Sequence, residues 1–382
     1  MNLIATQSAL DEFVVRMNRE EFVTIDTEFL REKTYYPQLC LLQIAGEAEA
    51  ALIDPLCGLD LAPVWQLLGN GAILKVFHAA RQDIEIFVNH TGRIPQPIFD
   101  TQIAAMVCGY GDSVSYETLV GKLAEAEIDK SSRFTDWSLR PLSAAQLTYA
   151  LADVTHLRTI YRRLAAELVA NGRQSWQEQE LAVLTRLSTY QIEPETAWQR
   201  MKPRSNSARF MSIFKALAAW REAEAQRRNL PRGRLLKDDA IAEIASTAPK
   251  TIEALGRCRA VGVGIANGKL GEEILAVVQS SLAQVTPAAT SNGAEPNRNR
   301  GESRALVDLL KVLLKHQCEL HGVAVKLVAS VTELEDFAEE EASDLEMLTG
   351  WRREVFGTAA LAMKQGKIAL AIVDNQVRII EI

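Results

Sequence analysis

The sequence predicts an α/β domain followed by helical modules, on three observations. The first third alternates short β-branched or apolar runs with helical patterns. From Ser143 the pattern turns helical, with strand-like character returning only in the tail at Ile368 to Ile382. Two later helical stretches flank a segment, Val285 to Ser303, whose prolines, glycines and Ser/Thr/Asn content read as a linker.

Phe22 to Phe29, Leu39 to Ala45 and Ala51 to Ile53 read as successive strands, and the short gaps between them suit a meander. Leu61 to Leu68 reads as a helix, Ile73 to His78 as a strand, and Gln82 to Asn89 as a helix ended by Gly92 and Pro95. Ser143 is a plausible N-cap for a helix carrying Leu147, Ala150, Leu151, Val154, Leu157 and Ile160 at helical spacing. A further helix over about Gln177 to Gln191 leads to Pro194, and the basic stretch Met201 to Ser207 marks the end of the first domain. Residues 208 to 280 read as a compact helical module, in which Gly262, Gly264 and Gly268 make turns between helices. The last region is mostly helical, with a strand-like tail at Ile368 to Ile382. The expected domains are therefore 1–200, 207–284 and 303–382, with a linker over 285–302.

A length of 382 residues suits two or three domains, and 48% apolar with 24% charged residues excludes a disordered or fibrous chain. The five cysteines are far apart and form no CxxC pair, which argues against zinc ribbons and secreted disulfide frameworks and for a reducing cytoplasm. The first 25 residues carry Asp11, Glu12, Arg16, Arg19, Glu20 and Glu21, so no signal peptide is expected. The uncharged stretch Ile274 to Ala294 is too polar to span a membrane.

Charge is unevenly spread along the chain. Residues 1–199 are net −10, residues 200–240 net +7, and residues 302–382 net −5. The basic collar from Arg200 to Lys237 suits sequence-independent contact with phosphates, with a solvated helix face as the simpler alternative. The acidic end should repel phosphate and pack against its neighbours instead. The cluster Glu333 to Glu346 reads as a solvated helix face.

The chemistry concentrates on Asp26 and Glu28 within the apolar run Phe22 to Phe29. Strand side chains alternate, so the two carboxylates share a face ~7 Å apart along the chain. That arrangement is costly in a buried strand unless a cation sits between them. Asp83 opens a helix, and Asp153 follows Tyr149 by four residues, which puts carboxylate and phenol on one helix face. Taken singly, Asp83 suits the first turn of a helix and Tyr149 a core position. Together, four acids so placed are what two magnesium ions require, because hard cations take oxygen ligands and a pair about 4 Å apart supports in-line phosphoryl displacement. A neutral phenol would orient the attacking water.

The ordered set Asp26-Thr-Glu-Phe29, Tyr35-Tyr-Pro-Gln38, His78-Ala-Ala-Arg-Gln-Asp83, Asp100-Thr-Gln102, Thr135-Asp-Trp137, Arg140-Pro-Leu142 and Tyr149-Ala-Leu-Ala-Asp153 closely resembles the ribonuclease D family of DEDDy-type 3′-to-5′ exonucleases. Trp220-Arg-Glu222, Ala225-Gln-Arg-Arg-Asn-Leu-Pro-Arg232 and Lys237-Asp238 resemble an HRDC domain, and Trp351-Arg-Arg-Glu354 with Gly357 a second, more diverged one. The resemblance implies a ribonuclease H-like mixed sheet flanked by helices, followed by two mainly α-helical HRDC-like domains. It implies Asp26, Glu28, Asp83 and Asp153 as ligands of two divalent cations, Mg²⁺ or Mn²⁺, and Tyr149 as the residue that positions water. It further implies hydrolysis from a free RNA 3′ end with release of 5′-nucleotides, and transfer-RNA precursors as substrates. Thr27, Phe29, Gln38 and His78 would support the site or the substrate, although His78 suits a packed structural role equally. Arg227, Arg228, Arg232 and Arg234 are the expected backbone contacts. A DNA exonuclease of the same group is the nearest rival, since the acids do not read the sugar. A silent nucleic-acid scaffold is another, which the intact acid set disfavours.

Overall fold

A computed structural model describes residues 3–129, 131–284, 304–339 and 344–382, and the expected linker over 285–302 lies outside them. The chain divides into two compact units, one of Met1–Glu28, Cys40–Arg186 and Glu295–Ile382, the other of Phe29–Leu39 and Leu187–Ala294.

The first unit begins with β1 (Leu3–Ile4) and α1 (Gln7–Met17), continues through β2 (Phe22–Leu30), β3 (Gln38–Ala45), β4 (Ala50–Ile53), α2 (Ala62–Gly69), β5 (Leu74–Phe77) and α3 (Arg81–Thr91), then β6 (Ile98–Asp100), α4 (Thr101–Val107) and α5 (Tyr116–Leu119). The sheet order is β1-β4-β3-β2-β5-β6. β3 and β4 are antiparallel, whereas β2, β5 and β6 run parallel. This is the expected mixed sheet with its meander. β3 is buried from Leu39 to Ala45, the mark of a strand covered on both faces. β2 is buried only from Phe22 to Ile25 and half-buried from Asp26 to Leu30. Its pairing with β5 covers Phe22 to Thr24, and β5 stops at Phe77, so the acidic half of β2 runs past its neighbour's carboxyl end.

α6 (Ala144–Ala170) starts at Ser143, whose hydroxyl accepts from Gln146 N while Gln146 Oε1 accepts from Ser143 N, a complete capping box. Its buried Ala150, Val154, Leu157, Ile160, Leu164 and Leu168 recur at three- and four-residue spacing. Thr24 donates to the Val154 carbonyl at 2.8 Å, which ties the helix to β2. The helix expected over Gln177 to Gln191 is shorter: α7 (Gln174–Leu181) gives way to i→i+3 turns, with Leu184 N on Leu181 O at 2.9 Å.

The second unit contains α8 (Ala208–Arg228), α9 (Arg232–Leu235), α10 (Asp238–Thr247), α11 (Ile252–Gly256), α12 (Val263–Ala266) and α13 (Lys269–Gln284) around Phe210, Phe214, Leu217, Ile241, Ile244 and Ile274. Gly262, at φ +73°, is the turn before α12. A Cβ at Gly271 would lie 2.0 Å from the Ala266 carbonyl oxygen, so only glycine fits there.

The chain returns to the first unit with α14 (Arg304–His321), α15 (Val325–Val328), α16 (Val331–Glu339), α17 (Gly350–Arg352) and α18 (Thr358–Lys364). A hairpin follows, β7 (Ile368–Val373) and β8 (Gln376–Glu381), turning on Asp374 and Asn375 at φ +51° and +61°, as a two-residue type I′ loop requires. These helices dock on the α/β part. Trp351 stacks on Trp176 at 4.4 Å and 13°. Arg173 donates to Val107 O at 2.9 Å, Gly322 O at 2.8 Å and His321 O, and Arg352 pairs with Glu180. A Cβ at Gly109 would meet Gly322 O at 2.6 Å, so the backbones touch directly. Among the described residues no helix is long and apolar enough to cross a membrane.

Candidate active site

Asp26 and Glu28 from β2 and Asp153 from α6 each offer one carboxylate oxygen within 4.8 Å of the others. Period two in the strand brings the first pair together, and the Thr24–Val154 tether sets α6 beside them. The three anions oppose one another's ionisation. Burial and the Asp153 charge hold Asp26 well above the carboxylate range. Burial, then Asp26, Asp153 and Asp83, push Glu28 up to about 10. Burial raises Asp153 to about 7 against a hydrogen bond from Tyr149 and the charge of Arg133. An all-oxygen set whose charges are mutually unfavourable is what a hard divalent cation relieves, so these residues fit such an ion.

Asp83 stands apart from that trio, in the first turn of α3. Burial and the Asp26 charge hold it well above its ordinary value, and Thr27 donates to it at 2.5 Å. The turn that launches α3 is built by Asp100. Its buried carboxylate accepts from Ala79 N (3.1 Å), Ala80 N (2.8 Å), Gln102 N (2.8 Å) and Ile103 N (3.3 Å), and so holds Ala79 at φ +58° while capping α4. An aspartate three residues before an apolar helical run carries this capping signal in sequence, but the run was too short to stand out.

Tyr149 lies one helical turn before Asp153 and donates to it. Burial, Asp153, Glu28 and Asp26 raise its pKa, so the phenol stays neutral. Its ring lies 6.1 Å from that of the buried Trp137. The segment holding Trp137 is fixed by Arg140, which clamps the buried Asp54 through Nε and Nη2 at 2.6 and 2.7 Å and donates to Cys40 O at 2.7 Å. Despite its burial, Asp54 is held below the carboxylate range by this guanidinium.

His78 is half-buried, with Nδ1 3.0 Å from Thr101 Oγ1 and its ring 5.5 Å from that of Tyr116. Burial lowers its pKa, which suits the packed role. Tyr116 itself escaped the sequence reading. Its hydroxyl donates to Ala152 O at 2.9 Å, and burial and Asp153 keep it protonated.

Phe29 and Gln38 fall in the second unit, half-buried and exposed respectively. There Tyr35 donates to Glu222 at 2.5 Å, and Asn229, the left-handed cap of α8, accepts from Tyr35 N and Tyr36 N at 3.1 and 2.9 Å. Most of the collar arginines are already paired. Arg232 binds Glu222 through two bonds of 2.5 and 2.6 Å and lies over the Tyr35 ring, while Arg227 and Arg228 share Glu224. Arg234 is exposed and makes no side-chain ion pair among the described residues.

Residues 1–169 match the 3′-5′ exonuclease family and residues 210–278 the HRDC domain. Ribonuclease D of Gluconacetobacter diazotrophicus is 50% identical over 382 residues, covering 98% of this chain and 96% of that one. Ribonuclease D of Granulibacter bethesdensis is 49% identical over 385 residues, covering 99% and 96%. The crystal structure of Escherichia coli RNase D, described as an exoribonuclease involved in structured RNA processing, aligns with TM-score 0.78 at 28% identity over 96% of this chain and 99% of that one. The catalytic core of RRP6 from Trypanosoma brucei shares the fold at TM-score 0.55 and 22% identity, covering 75% of this chain and 80% of that one. An acidic cluster at the carboxyl end of a mixed sheet, an HRDC module later in the sequence and near-full-length identity lead to one conclusion: the chain belongs to the ribonuclease D family of metal-dependent 3′-to-5′ exoribonucleases.

Proposed function

We propose that Asp26, Glu28 and Asp153 hold one divalent cation, that Asp26 and Asp83 hold a second, and that Tyr149 orients the attacking water at the 3′ end of an RNA. The convergence of three carboxylates beside a neutral phenol carries this reading. Bound Mg²⁺ or Mn²⁺ would acidify the water and offset charge on the leaving oxygen. Tyr149 donates its proton to Asp153, which leaves its Oη lone pairs available to accept from the water and align it. The water oxygen bonds to the terminal phosphorus as the bond from phosphorus to the preceding O3′ breaks, which releases a 5′-nucleotide and leaves a new 3′ hydroxyl. Thr27 fixes the rotamer of Asp83, and the Asp100 turn sets where α3 begins.

The same reading places the exonuclease domain in 1–200, the HRDC domain in 207–284 and a diverged HRDC-like domain in 303–382. Transfer-RNA precursors are the proposed substrates. The cytoplasm is the proposed location, in keeping with five unpaired cysteines.

Matched RNA and DNA strands, labelled at either end and supplied with Mg²⁺, Mn²⁺ or EDTA, test the proposal. We expect nucleotides released from the 3′ end of RNA, loss of activity in EDTA, and no turnover by Asp26→Asn. Near-wild-type turnover by that variant would remove the assignment of the site, and equal rates on DNA would favour a sugar-blind exonuclease.

A further inference from the structure

Beside the carboxylates lies a pair of side chains that the reading above leaves without a task. Phe134 is 91% exposed, and the Arg133 guanidinium sits over its ring at 5.2 Å. Arg133 has no carboxylate or hydrogen-bond partner among the described residues. A lone exposed phenylalanine is ordinary on a protein surface. This one is on a segment pinned to the helix of the site. Thr135 donates to Ser132 O at 2.7 Å and accepts from Gln146 Nε2 at 3.0 Å, one turn ahead of Tyr149, and Trp137 packs its buried indole toward the Tyr149 ring. The positive charge of Arg133 reaches Glu28, Asp153 and Tyr149. An unpaired cation and an uncovered aromatic face, adjacent and anchored next to an anionic cluster, match the two halves of a nucleotide, a phosphate and a base.

We infer that Arg133 and Phe134 seat the end of the RNA, with Phe134 stacking on one of the last two bases and Arg133 binding a backbone phosphate beside the scissile bond. The inference rests on the site proposed above and deepens it. Within a duplex the neighbouring pairs cover both faces of every base except the last, and pairing holds that one in the helix, so the pair favours a single-stranded 3′ end whose bases can turn onto the ring. It tolerates any base, because every base has a π-face. Arg133 also places one cation where a polyanion must approach other anions. Neither residue handles the transferred proton; both position the substrate.

The test compares kcat/KM on an RNA ending in ordinary nucleotides with that on the same strand made abasic at the last or the penultimate position. Wild-type protein should prefer the intact end by about 5- to 100-fold at one of the two positions. Phe134→Ala should reduce that preference to less than about twofold, and Phe134→Trp should retain it; replacing an exposed ring leaves the fold intact. Arg133→Ala should raise KM more than it lowers kcat, and flatten the slope of log affinity against log salt by about 0.7, the value for one phosphate contact on a single strand. No preference in the wild type, the same preference in Phe134→Ala, or an unchanged salt slope in Arg133→Ala would overturn the assignment. Asp153→Asn run alongside separates the layers. If it is inactive while Phe134→Ala keeps full discrimination, the seat alone fails; if it is active, the catalytic site fails.

Discussion

At Asp153, burial works against the charge that the chemistry needs. Its carboxyl, raised to about 7 from an unfolded value near 4, favours the metal-free fold most below pH 4 and loses that contribution as pH rises through 7. Glu28, at about 10, prolongs the loss upward. In EDTA the Tm should therefore fall between pH 5 and 8, Asp153→Asn should flatten the fall, and Mg²⁺ should restore stability at pH 8. Melting curves at the two pH values check this, and a Tm that climbs with pH would contradict it. Tyr149→Phe should lower kcat by about 10²-fold or more with little change in KM, because it removes a hydroxyl that aligns water while the ring still packs toward Trp137; steady-state kinetics on a short RNA show the split. Asp26, Glu28, Tyr149 and Asp153 were legible because spacings of two in a strand and four in a helix fix shared faces. Arg133 was not, since one arginine in a serine-containing loop has no period to place it.

Among the elements, the turn from β5 to α3 depends on a residue outside both. Asp100→Ala would strip four backbone N–H groups of their acceptor and release Ala79 from its left-handed conformation. We expect a loss of about 2 kcal/mol, at the upper end for a helix cap, together with reduced kcat because Asp83 loses its fixed start. Urea unfolding and kinetics on the same preparation measure both, and a stable variant with full kcat would show the cap to be dispensable. α6 could be read in advance from Ser143 and its apolar rhythm. β6 could not, since three residues carry no alternation, and neither could the end of α7, where bonds to the third residue replace bonds to the fourth.

Over the whole chain, regional charge is a poor guide to charge on offer. The net +7 of residues 200–240 includes Arg227, Arg228 and Arg232, which Glu224 and Glu222 already engage. Replacing these three and Arg234 by alanine should thus change the salt slope of RNA binding by about one contact, near 0.7 to 0.9, where four unpaired arginines would change it fourfold. Binding across a salt series distinguishes the two. A chain lacking residues 304–382 should melt earlier and aggregate more readily in EDTA, because Trp176 loses its stacking partner and Arg173 two of its carbonyls. An unchanged Tm would show the docking to be idle. Sequence alone suggested that the acidic end packs, from its charge, but the glycine-to-glycine contact of 109 with 322 requires the fold to be seen. The two sides of that contact are also made at different times. The surface around Arg173 is translated about 150 residues before Gly322, roughly 7 to 30 s at ordinary elongation rates. For that interval the nascent chain carries Trp176 without its stacking partner and Arg173 holding one of its three carbonyls, so a chain truncated before Gly322 bares the face that α14 to α18 later cover.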